Sequence, residues 1–373
     1  MAETEQFEFW TDSALAKIFP DAERPPQASR RIELKAARNE TEDAQVAVRV
    51  PRGREVTRAA FEVSDLKGPG GARIPAECCE GRWEWYTPVT HNPPGNADPA
   101  TYLRKAPALF PDGFLEQPHA RILDNRTQPL WFSVRVPRDA RPGRYEGTLR
   151  IRLQEKEGPG AQMEVPVAVT VWPFELPREG HLRHTEWFSP QAICDYYRLE
   201  PWSEEHWRWI GKVARDMGRH RQDMIRTVFQ HLVETRRRGD GALQFDFTRL
   251  DRWIETFRAE GVTWIEGGHI AGRAGGWASD MVLARFPVRD ESGAPVDTSR
   301  QAMPDEEFER IAGEMLRAVH AHLKEKGRHE RYVQHIADEP TAENADSWRR
   351  LSAKVRQWLP DVPRIDATIS EEV

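Results

Sequence analysis

The stretch Tyr332-Val333-Gln334-His335-Ile336-Ala337-Asp338-Glu339-Pro340 decides how the second half of the chain folds. It is a short, mostly apolar run that ends in two adjacent carboxylates and a proline, a pattern typical of a buried strand stopped by a turn. Parallel α/β barrels build their active sites at the carboxyl ends of such strands. The stretch therefore predicts a barrel strand that carries Asp338 and Glu339 to the catalytic edge, although Asp-Glu pairs are also common on ordinary surfaces.

Two neighbouring carboxyl groups can be held at different pKa values, so that one stays ionised while the other keeps its proton. Acid-assisted cleavage of a glycosidic bond uses such a pair. The residue types thus indicate Asp338 and Glu339 as candidate catalytic groups.

Around this stretch, residues 179–373 alternate strand and helix patterns, which argues for a parallel sheet with crossover helices. The pattern predicts strands at 184–188, 224–229, 262–266, 332–337 and 364–369, and helices at about 203–219, 247–260, 305–326 and 345–359. A complete (β/α)₈ barrel takes roughly 250 residues. We therefore expect a TIM barrel truncated after about five strands, its carboxyl-terminal part missing. The alternative is a smaller open sheet, which would leave an exposed parallel edge.

Residues 1–178 are predicted to form a separate all-β domain. Runs such as 31–36, 44–50, 130–136, 144–153 and 163–172 largely alternate apolar and polar side chains, the period of half-buried strands, and turn signals separate them. Several short strands of this kind favour a β-sandwich. Residues 87–125 are rich in proline, glycine and asparagine and are predicted to be a long loop. The expected fold class is multidomain, with this sandwich followed by the barrel.

Composition excludes several classes of function. The chain has 54 basic and 60 acidic residues, and the one basic block is Arg236-Arg237-Arg238, so no nucleic-acid partner is expected. The apolar runs are too short for a membrane span. The acidic start, Met1-Ala2-Glu3-Thr4-Glu5, lacks the apolar segment of a signal peptide, which predicts a cytoplasmic protein and leaves export open. Three cysteines, two of them adjacent, form no disulfide framework and show no metal spacing, so neither a metal nor a cofactor is expected.

The chain resembles glycoside hydrolase family 123 and its uncharacterised relatives at several points in order. Residues 37–45 are similar to an early sandwich strand of that family, 129–134 with 142–148 to its later hairpin, and 171–177 to its domain junction. The stretch 332–340 resembles its catalytic strand. The resemblance implies a β-sandwich followed by a (β/α)₈ barrel. It also implies a carbohydrate substrate, namely terminal β-N-acetylhexosaminides and in particular N-acetylgalactosaminides.

The same resemblance implies a role for each carboxylate. Glu339 would be the general acid that protonates the leaving oxygen. Asp338 would orient and stabilise the 2-acetamido group of the substrate, which attacks the anomeric carbon in place of a protein nucleophile. Such substrate-assisted cleavage with retention is a recognised exception to the two-carboxylate scheme.

Further residues near predicted strand ends are candidates for substrate binding, because the ligand of a barrel lies at that face. Those selected are Glu186, Trp187, His269, Trp277 and Asp366. Histidine can reach a sugar hydroxyl, and tryptophan offers a flat apolar face on which a sugar ring can stack. Each has a plainer alternative, such as a loop histidine without a ligand. We expect His335, inside the strand, to be a hydrogen-bonded core residue.

Two alternatives to the substrate-assisted glycosidase stay open. The first is a conventional retaining glycosidase, whose nucleophile would lie beyond residue 373. The second is a non-catalytic carbohydrate-binding protein or an inactive fragment. The residue pattern determines neither the sugar linkage nor the oligomeric state.

Overall fold

The computed structural model describes residues 6–92 and 98–371, and it divides the chain into two units, Met1–Arg178 and Glu179–Val373. The first unit is built from strands and the second from strands and helices. None of the helices within the described ranges has the length and apolarity that crossing a bilayer requires. The fold class is therefore a mixed, multidomain combination of β and α/β structure.

The first unit contains twelve strands in the described residues. They are β1 (Glu8–Ser13), β2 (Ile32–Arg38), β3 (Thr41–Arg49), β4 (Val56–Val63), β5 (Leu66–Lys67), β6 (Arg73–Ile74), β7 (Cys79–Val89), β8 (Ala108–Phe114), β9 (Ala120–Ile122), β10 (Thr127–Arg135), β11 (Gly143–Glu155) and β12 (Ala161–Glu175). One sheet has the order β1-β3-β10-β7-β8. The other has the order β2-β12-β11-β4-β9, with β5 paired to β11 and β6 paired to β5.

The long hairpin of β11 and β12 shows why the alternating sequence forms a sandwich. Tyr145, Leu149 and Ile151 point inward and are fully buried, whereas Arg150 on the other face forms ion pairs with Glu62 and Glu164. This is the period of two expected for a sheet with one buried face. The inward side chains join Trp83, Phe132 and others from the five-stranded sheet in a shared core.

The prediction of one long loop over 87–125 was wrong in part. Strand β8 pairs with β7 and β9 pairs with β4. Strand β8 lies at the edge of its sheet and contains Pro111, and its pairing shifts register. Edge positions and bulges are where strands tolerate proline and glycine, so composition alone made this segment resemble a loop.

The second unit contains ten strands and six α-helices in the described residues. The strands are β13 (Met224–Thr227), β14 (Glu234–Arg237), β15 (Leu243–Asp246), β16 (Trp264–Gly267), β17 (Ala271–Arg273), β18 (Met281–Leu283), β19 (Val288–Asp290), β20 (Pro295–Val296), β21 (Tyr332–His335) and β22 (Arg364–Ile365). The helices are α1 (Pro190–Tyr197), α2 (Glu204–Arg219), α3 (Phe229–Leu232), α4 (Thr248–Ala259), α5 (Asp305–Glu325) and α6 (Ala345–Trp358).

A parallel sheet organises this unit. Its order is β13-β16-β21-β22, and Thr185 adds a parallel bridge to Met224 at the β13 edge. The segment at Thr185 and the strands β13, β16, β21 and β22 therefore lie side by side in the same order as in the sequence. This arrangement fits a curled half-barrel sheet. The connecting helices bury one apolar stripe each; in α5 the stripe runs through Phe308, Ile311, Met315 and Val319.

Helices α2, α4, α5 and α6 were predicted to within a residue or two, but α1, α3 and several strands were not. Residues 364–369 form only the two-residue strand β22, and residues 184–188 form only the bridge at Thr185. The segment 267–303, where no strand was predicted, contains β17 to β20, and residues 234–246 form the β14–β15 hairpin. Strands of two to four residues contain too few alternations to give a periodic signal.

Candidate active site

The carboxyl ends of the parallel strands bring together side chains that are far apart in the sequence. Glu266 lies on β16, His335 ends β21, and Asp366 directly follows β22. Glu266 is completely buried. Its carboxylate accepts hydrogen bonds from the Thr185 hydroxyl, from Trp187 Nε1 at 2.9 Å and from His335 Nε2 at 2.6 Å. Every buried carboxylate oxygen here therefore has a donor, as burial requires.

His335 lies between two carboxylates. Its Nε2–H donates to Glu266, and its Nδ1–H donates to Asp366 Oδ1 at 2.9 Å. Burial alone would lower the pKa of His335, but the hydrogen bonds to Asp366 and Glu266 and the charges of both carboxylates raise it to about 9. Burial also opposes ionisation of Glu266, yet the hydrogen bonds from His335, Thr185 and Trp187 outweigh it and lower that pKa. The Glu266–His335–Asp366 triad is thus an imidazolium held between two carboxylates.

Asp366 connects this triad to the candidate catalytic segment. Besides His335, it accepts hydrogen bonds from Trp348 Nε1 at 2.6 Å and from the backbone N–H groups of Ile336 at 3.2 Å and Ala337 at 3.4 Å. These two peptide groups immediately precede Asp338. The side chain of Asp366 is only 2% exposed, so it supports the segment from below and is not accessible to a sugar, unlike its predicted role in substrate binding.

The predicted catalytic pair follows at the open end of β21. The side chain of Asp338 is 54% exposed, and its Oδ1 lies 4.0 Å from Nε2 of His269. Glu339 is half-buried and has a φ of 45°, a left-handed conformation that is uncommon for residues other than glycine. Its carbonyl accepts a hydrogen bond from Arg273 Nη2 at 2.7 Å. Backbone strain of this kind occurs where surrounding contacts enforce it, often at functional sites.

His269 lies beside Asp338, as a candidate for substrate contact should. Burial lowers its pKa to about 4, and the positive charges of His335 and Arg226 contribute. The ring is therefore neutral near pH 7. Arg226 Nη2 donates to Nδ1 at 3.3 Å, which assigns the ring proton to Nε2. Within the described residues, that buried Nε2–H has no hydrogen-bond acceptor, so it is a free donor that faces the Asp338 side.

Two of the predicted tryptophans present a face to solvent at this edge. Trp187 is 44% exposed and contacts the rings of His269 and His335 edge-on. Trp277 is 55% exposed. The guanidinium of Arg273 lies 3.8 Å from the Trp277 ring and also binds the Glu339 carbonyl. Arg273 thereby links the Trp277 loop to the candidate catalytic segment.

Glu186 does not join these residues. Its exposed carboxylate pairs with His184 Nε2 at 3.3 Å, whereas its chain neighbours Thr185 and Trp187 donate to Glu266. Alternate residues of an extended segment point to opposite sides. Its position therefore gives no support to the predicted role in substrate binding.

The sequence did not single out Arg226, Arg273 or Trp348. Arg226 lies inside β13, where an arginine resembles an ordinary polar position. Arg273 reaches Glu339 across 66 residues, and Trp348 reaches Asp366 across 18. The position of Glu266 at the end of a predicted strand was the one signal that could have marked it as a member of the site.

Atoms of His269, His335 and Asp366 lie within 4.8 Å of one another, a spacing that a metal ion could bridge. Metal binding needs a neutral imidazole with a free nitrogen. Both nitrogens of His335 are bound to carboxylates, and its raised pKa favours the protonated ring. The chemistry of this donor set favours an ion triad over a metal centre.

A cleft of about 470 Å³ opens on the other side of Trp187 and Arg226. Its walls are mainly aromatic and apolar, and include Phe188, Trp202 and Trp253. Because Arg226 lines this cleft and also contacts His269, the cleft is adjacent to the edge that carries the candidate catalytic residues.

Two family profiles match the chain. The profile described as glycoside hydrolase 123, catalytic domain, matches residues 187–372, and the glycoside hydrolase 123 N-terminal domain matches residues 11–153. No curated protein sequence matches.

Among solved structures, a family 123 glycoside hydrolase from Clostridium perfringens, studied for glycolipid glycan hydrolysis, is 16% identical with a TM-score of 0.69. The match covers 93% of this chain, which spans 61% of that enzyme's length. An Acinetobacter baumannii CsuC–CsuE pilus complex is 9% identical over 45% of this chain and 52% of that one, with a TM-score of 0.25. The PapD-like domain of human CEP192 is 10% identical over 44% and 98%, with a TM-score of 0.23. Scores this low carry no argument, but the first match supports the fold. With both family profiles matched in order, the chain belongs to glycoside hydrolase family 123.

Proposed function

We propose that the protein is a glycosidase that removes terminal β-N-acetylhexosamines, with N-acetylgalactosaminides as the expected substrates, by a retaining, substrate-assisted mechanism. The observation that carries this proposal is the pair of adjacent carboxylates, Asp338 and Glu339, at the open end of a buried parallel strand. Membership of family 123 supports the reaction class. The similarity to the Clostridium perfringens enzyme, studied for glycolipid glycan hydrolysis, supports a carbohydrate substrate.

In the proposed first step, Glu339 gives its proton to the glycosidic oxygen as the bond to the anomeric carbon breaks. The carbonyl oxygen of the 2-acetamido group attacks that carbon from the opposite face, and an oxazolinium ion forms. In the second step, the Glu339 carboxylate takes a proton from water, and the resulting nucleophile opens the oxazolinium. Asp338 supplies a fixed negative charge beside the acetamido N–H, where positive charge develops in both steps.

The other carboxylates at this edge are occupied by hydrogen bonds, which favours the 2-acetamido group of the substrate as the nucleophile. In a two-carboxylate retaining enzyme the second carboxylate lies about 5–5.5 Å from the acid and must reach the anomeric carbon. Glu266 and Asp366 are buried and fully occupied with hydrogen bonds. Asp338, by contrast, is exposed beside Glu339.

We further propose that the sheet β13-β16-β21-β22 belongs to a (β/α)₈ barrel. The parallel order of neighbours, which follows the chain, and the helices between the strands support this fold. In that arrangement Trp187 and Trp277 would offer sugar-stacking faces at the carboxyl end of the barrel.

Replacing Glu339 by glutamine tests its role as the acid. General acid catalysis contributes roughly 10²- to 10⁴-fold, so Glu339→Gln should lose about that much kcat/KM on an N-acetylgalactosaminide with a sugar leaving group. An aryl N-acetylgalactosaminide with a highly acidic phenol should lose far less, because its leaving group needs little protonation. The exposed Glu343, four residues later, provides a matched control: Glu343→Gln should leave both rates unchanged. Equal losses on the two substrates in Glu339→Gln would contradict the assignment.

The 2-substituent of the sugar distinguishes the mechanisms. A substrate with a 2-hydroxyl in place of the acetamido group should not be cleaved if the acetamido group is the nucleophile. Asp338→Asn should slow the cleavage of N-acetylgalactosaminides with sugar and with aryl leaving groups to the same extent. Cleavage of the 2-hydroxyl substrate at a comparable rate would favour the conventional retaining scheme. Sugar binding without turnover in both the original protein and Glu339→Gln would favour a non-catalytic binding protein.

A further inference from the structure

We propose that the cleft beside Trp187 binds a sugar that carries a carboxylate, recognised by Arg226. This inference rests on the proposed function. It specifies the substrates as N-acetylhexosaminides linked to an acidic sugar such as a uronic acid.

Among the described residues, Arg226 has no carboxylate partner. Its guanidinium donates a hydrogen bond from Nη2 to His269 and lies over the ring of Trp187, with 4.6 Å between the guanidinium carbon and the ring centroid. Its Nε is buried, and no described residue accepts a hydrogen bond from it. A partly buried guanidinium gains most from a planar, two-oxygen acceptor, because two parallel N–H···O bonds then form with a charged group.

The wall of the cleft has the complementary charge for an anion. Among its lining residues are Arg226, His206 and His231, and none is an aspartate or glutamate. Both ring nitrogens of His206 are bound to backbone groups, so it is not available to a ligand. Arg226 is thus the fixed positive charge of a mainly apolar cavity, where the interaction with an anion is less screened than in open water.

The position of Arg226 places this charge next to the proposed reaction. One imidazole ring, that of His269, separates its guanidinium from Asp338, with contacts of 3.3 Å on one side and 4.0 Å on the other. The cleft volume of about 470 Å³ is sufficient for a sugar residue. Trp187 and Trp202 in its walls offer apolar faces for the ring, while Arg226 binds the carboxylate.

A matched pair of disaccharides tests the proposal. One has N-acetylgalactosamine β-linked to glucuronate, and the other has glucose in place of glucuronate, so that they differ only in the carboxylate. We expect the protein to prefer the glucuronate substrate by roughly 10- to 100-fold in kcat/KM, the range of a hydrogen bond to a charged group. The preference should decrease as sodium chloride is raised, since salt screens the ion pair.

Substitution of Arg226 should remove the preference. In Arg226→Gln the ratio of the two kcat/KM values should fall to about one, and Arg226→Lys, which keeps the charge but not the planar fork, should give an intermediate ratio. Arg249 lies over Trp202 outside the cleft lining and provides the control, because Arg249→Gln should keep the full ratio. Equal kcat/KM values in the unsubstituted protein, or an unchanged ratio in Arg226→Gln, would overturn the proposal.

Calorimetry with the Glu339→Gln protein separates this inference from the proposed function. If neither disaccharide is hydrolysed by the unsubstituted protein, the glycosidase proposal fails, but tighter binding of the glucuronate disaccharide would still support the cleft. Turnover of both substrates with equal affinity would refute the cleft and leave the glycosidase proposal intact.

Discussion

The buried triad predicts a loss of stability at mildly alkaline pH, and His335 is its origin. The folded protein raises the pKa of His335 from an ordinary 6.5 to about 9. A histidine with a raised folded pKa contributes its full stabilisation below pH 6.5 and loses it as the pH rises towards 9. We therefore expect the unit that contains the triad to become progressively easier to unfold between these values.

The expected magnitude follows from the two pKa values. Their difference corresponds to about 3 kcal/mol of stabilisation at low pH. Integrating the proton linkage gives a contribution from His335 alone of about 2 kcal/mol, lost from the free energy of unfolding between pH 6.5 and 8.5. Because His335 is buried, solvent screening does not reduce this figure as it would at a surface.

Other groups titrate in that interval as well. In the unit Glu179–Val373, four rings have a pKa lowered mainly by burial and carry a proton near pH 6.5 only in the unfolded chain, namely His206, His231, His269 and His320. Each of them raises stability by at most about 0.4 kcal/mol between pH 6.5 and 8.5, which partly offsets the loss from His335. In the other unit, burial raises the pKa of Glu84 to about 7, so that unit also loses some stability as the pH rises through this value. Burial raises the pKa of Cys79 to about 12, and its effect on stability begins only above the ordinary thiol value of 9.0. The lowered pKa of Glu266 acts in acid, where its stabilisation is lost as the pH falls below the usual carboxyl range.

Urea unfolding followed by tryptophan fluorescence at pH 6.5, 7.5 and 8.5 measures the effect. The difference in unfolding free energy between the unsubstituted protein and His335→Gln isolates the contribution of His335, and it should shrink by about 2 kcal/mol from pH 6.5 to 8.5. His206→Gln serves as the control, because it removes another buried histidine and should change the pH dependence by less than about 0.5 kcal/mol. A pH dependence in His335→Gln equal to that of the unsubstituted protein would refute the reasoning.

Two further predictions concern the support of the same strand. Asp366→Asn should lower kcat at least tenfold and destabilise the fold by about 3 kcal/mol. The substitution leaves His335 with one carboxylate and places an amide against several hydrogen-bond donors. Full activity with an unchanged urea midpoint would contradict this prediction. Gly267→Ala should cost about 1–3 kcal/mol, since an added Cβ would overlap Oε1 of the buried Gln334. Gly272→Ala is its control, as a Cβ there meets no atom within 4 Å, and equal urea midpoints for the two alanine variants would exclude the proposed clash.

The prediction of the catalytic strand depended on local signals that survive without a structure. The apolar run, the two carboxylates and the proline defined β21 and its open end, and the helical spacing of apolar residues defined α2, α4, α5 and α6. The predicted core role of His335 also agrees with its burial. The short strands β17 to β20 lacked such a signal, because a strand of two or three residues has no measurable period.

The roles of individual site residues were harder to predict. Asp366 follows its strand in the way a ligand-binding residue would, yet it lies beneath the site and holds His335 and the peptide groups before Asp338. Glu186 and Trp187 are adjacent in sequence, but one pairs with His184 and the other with Glu266. A single residue along an extended segment reverses the direction of the side chain.

The sequence alone determined the order of strands and helices, the two carboxylates and their place after a buried strand, because periodicity and turn residues act over a few neighbouring positions. Only the tertiary structure decided which distant groups meet: Glu266 with His335 across 69 residues, Asp366 with His335 across 31, and Arg226 with His269 across 43. These contacts depend on which strands become neighbours and in what register. That choice is made by the packing of the whole sheet and its helices, which no local pattern records.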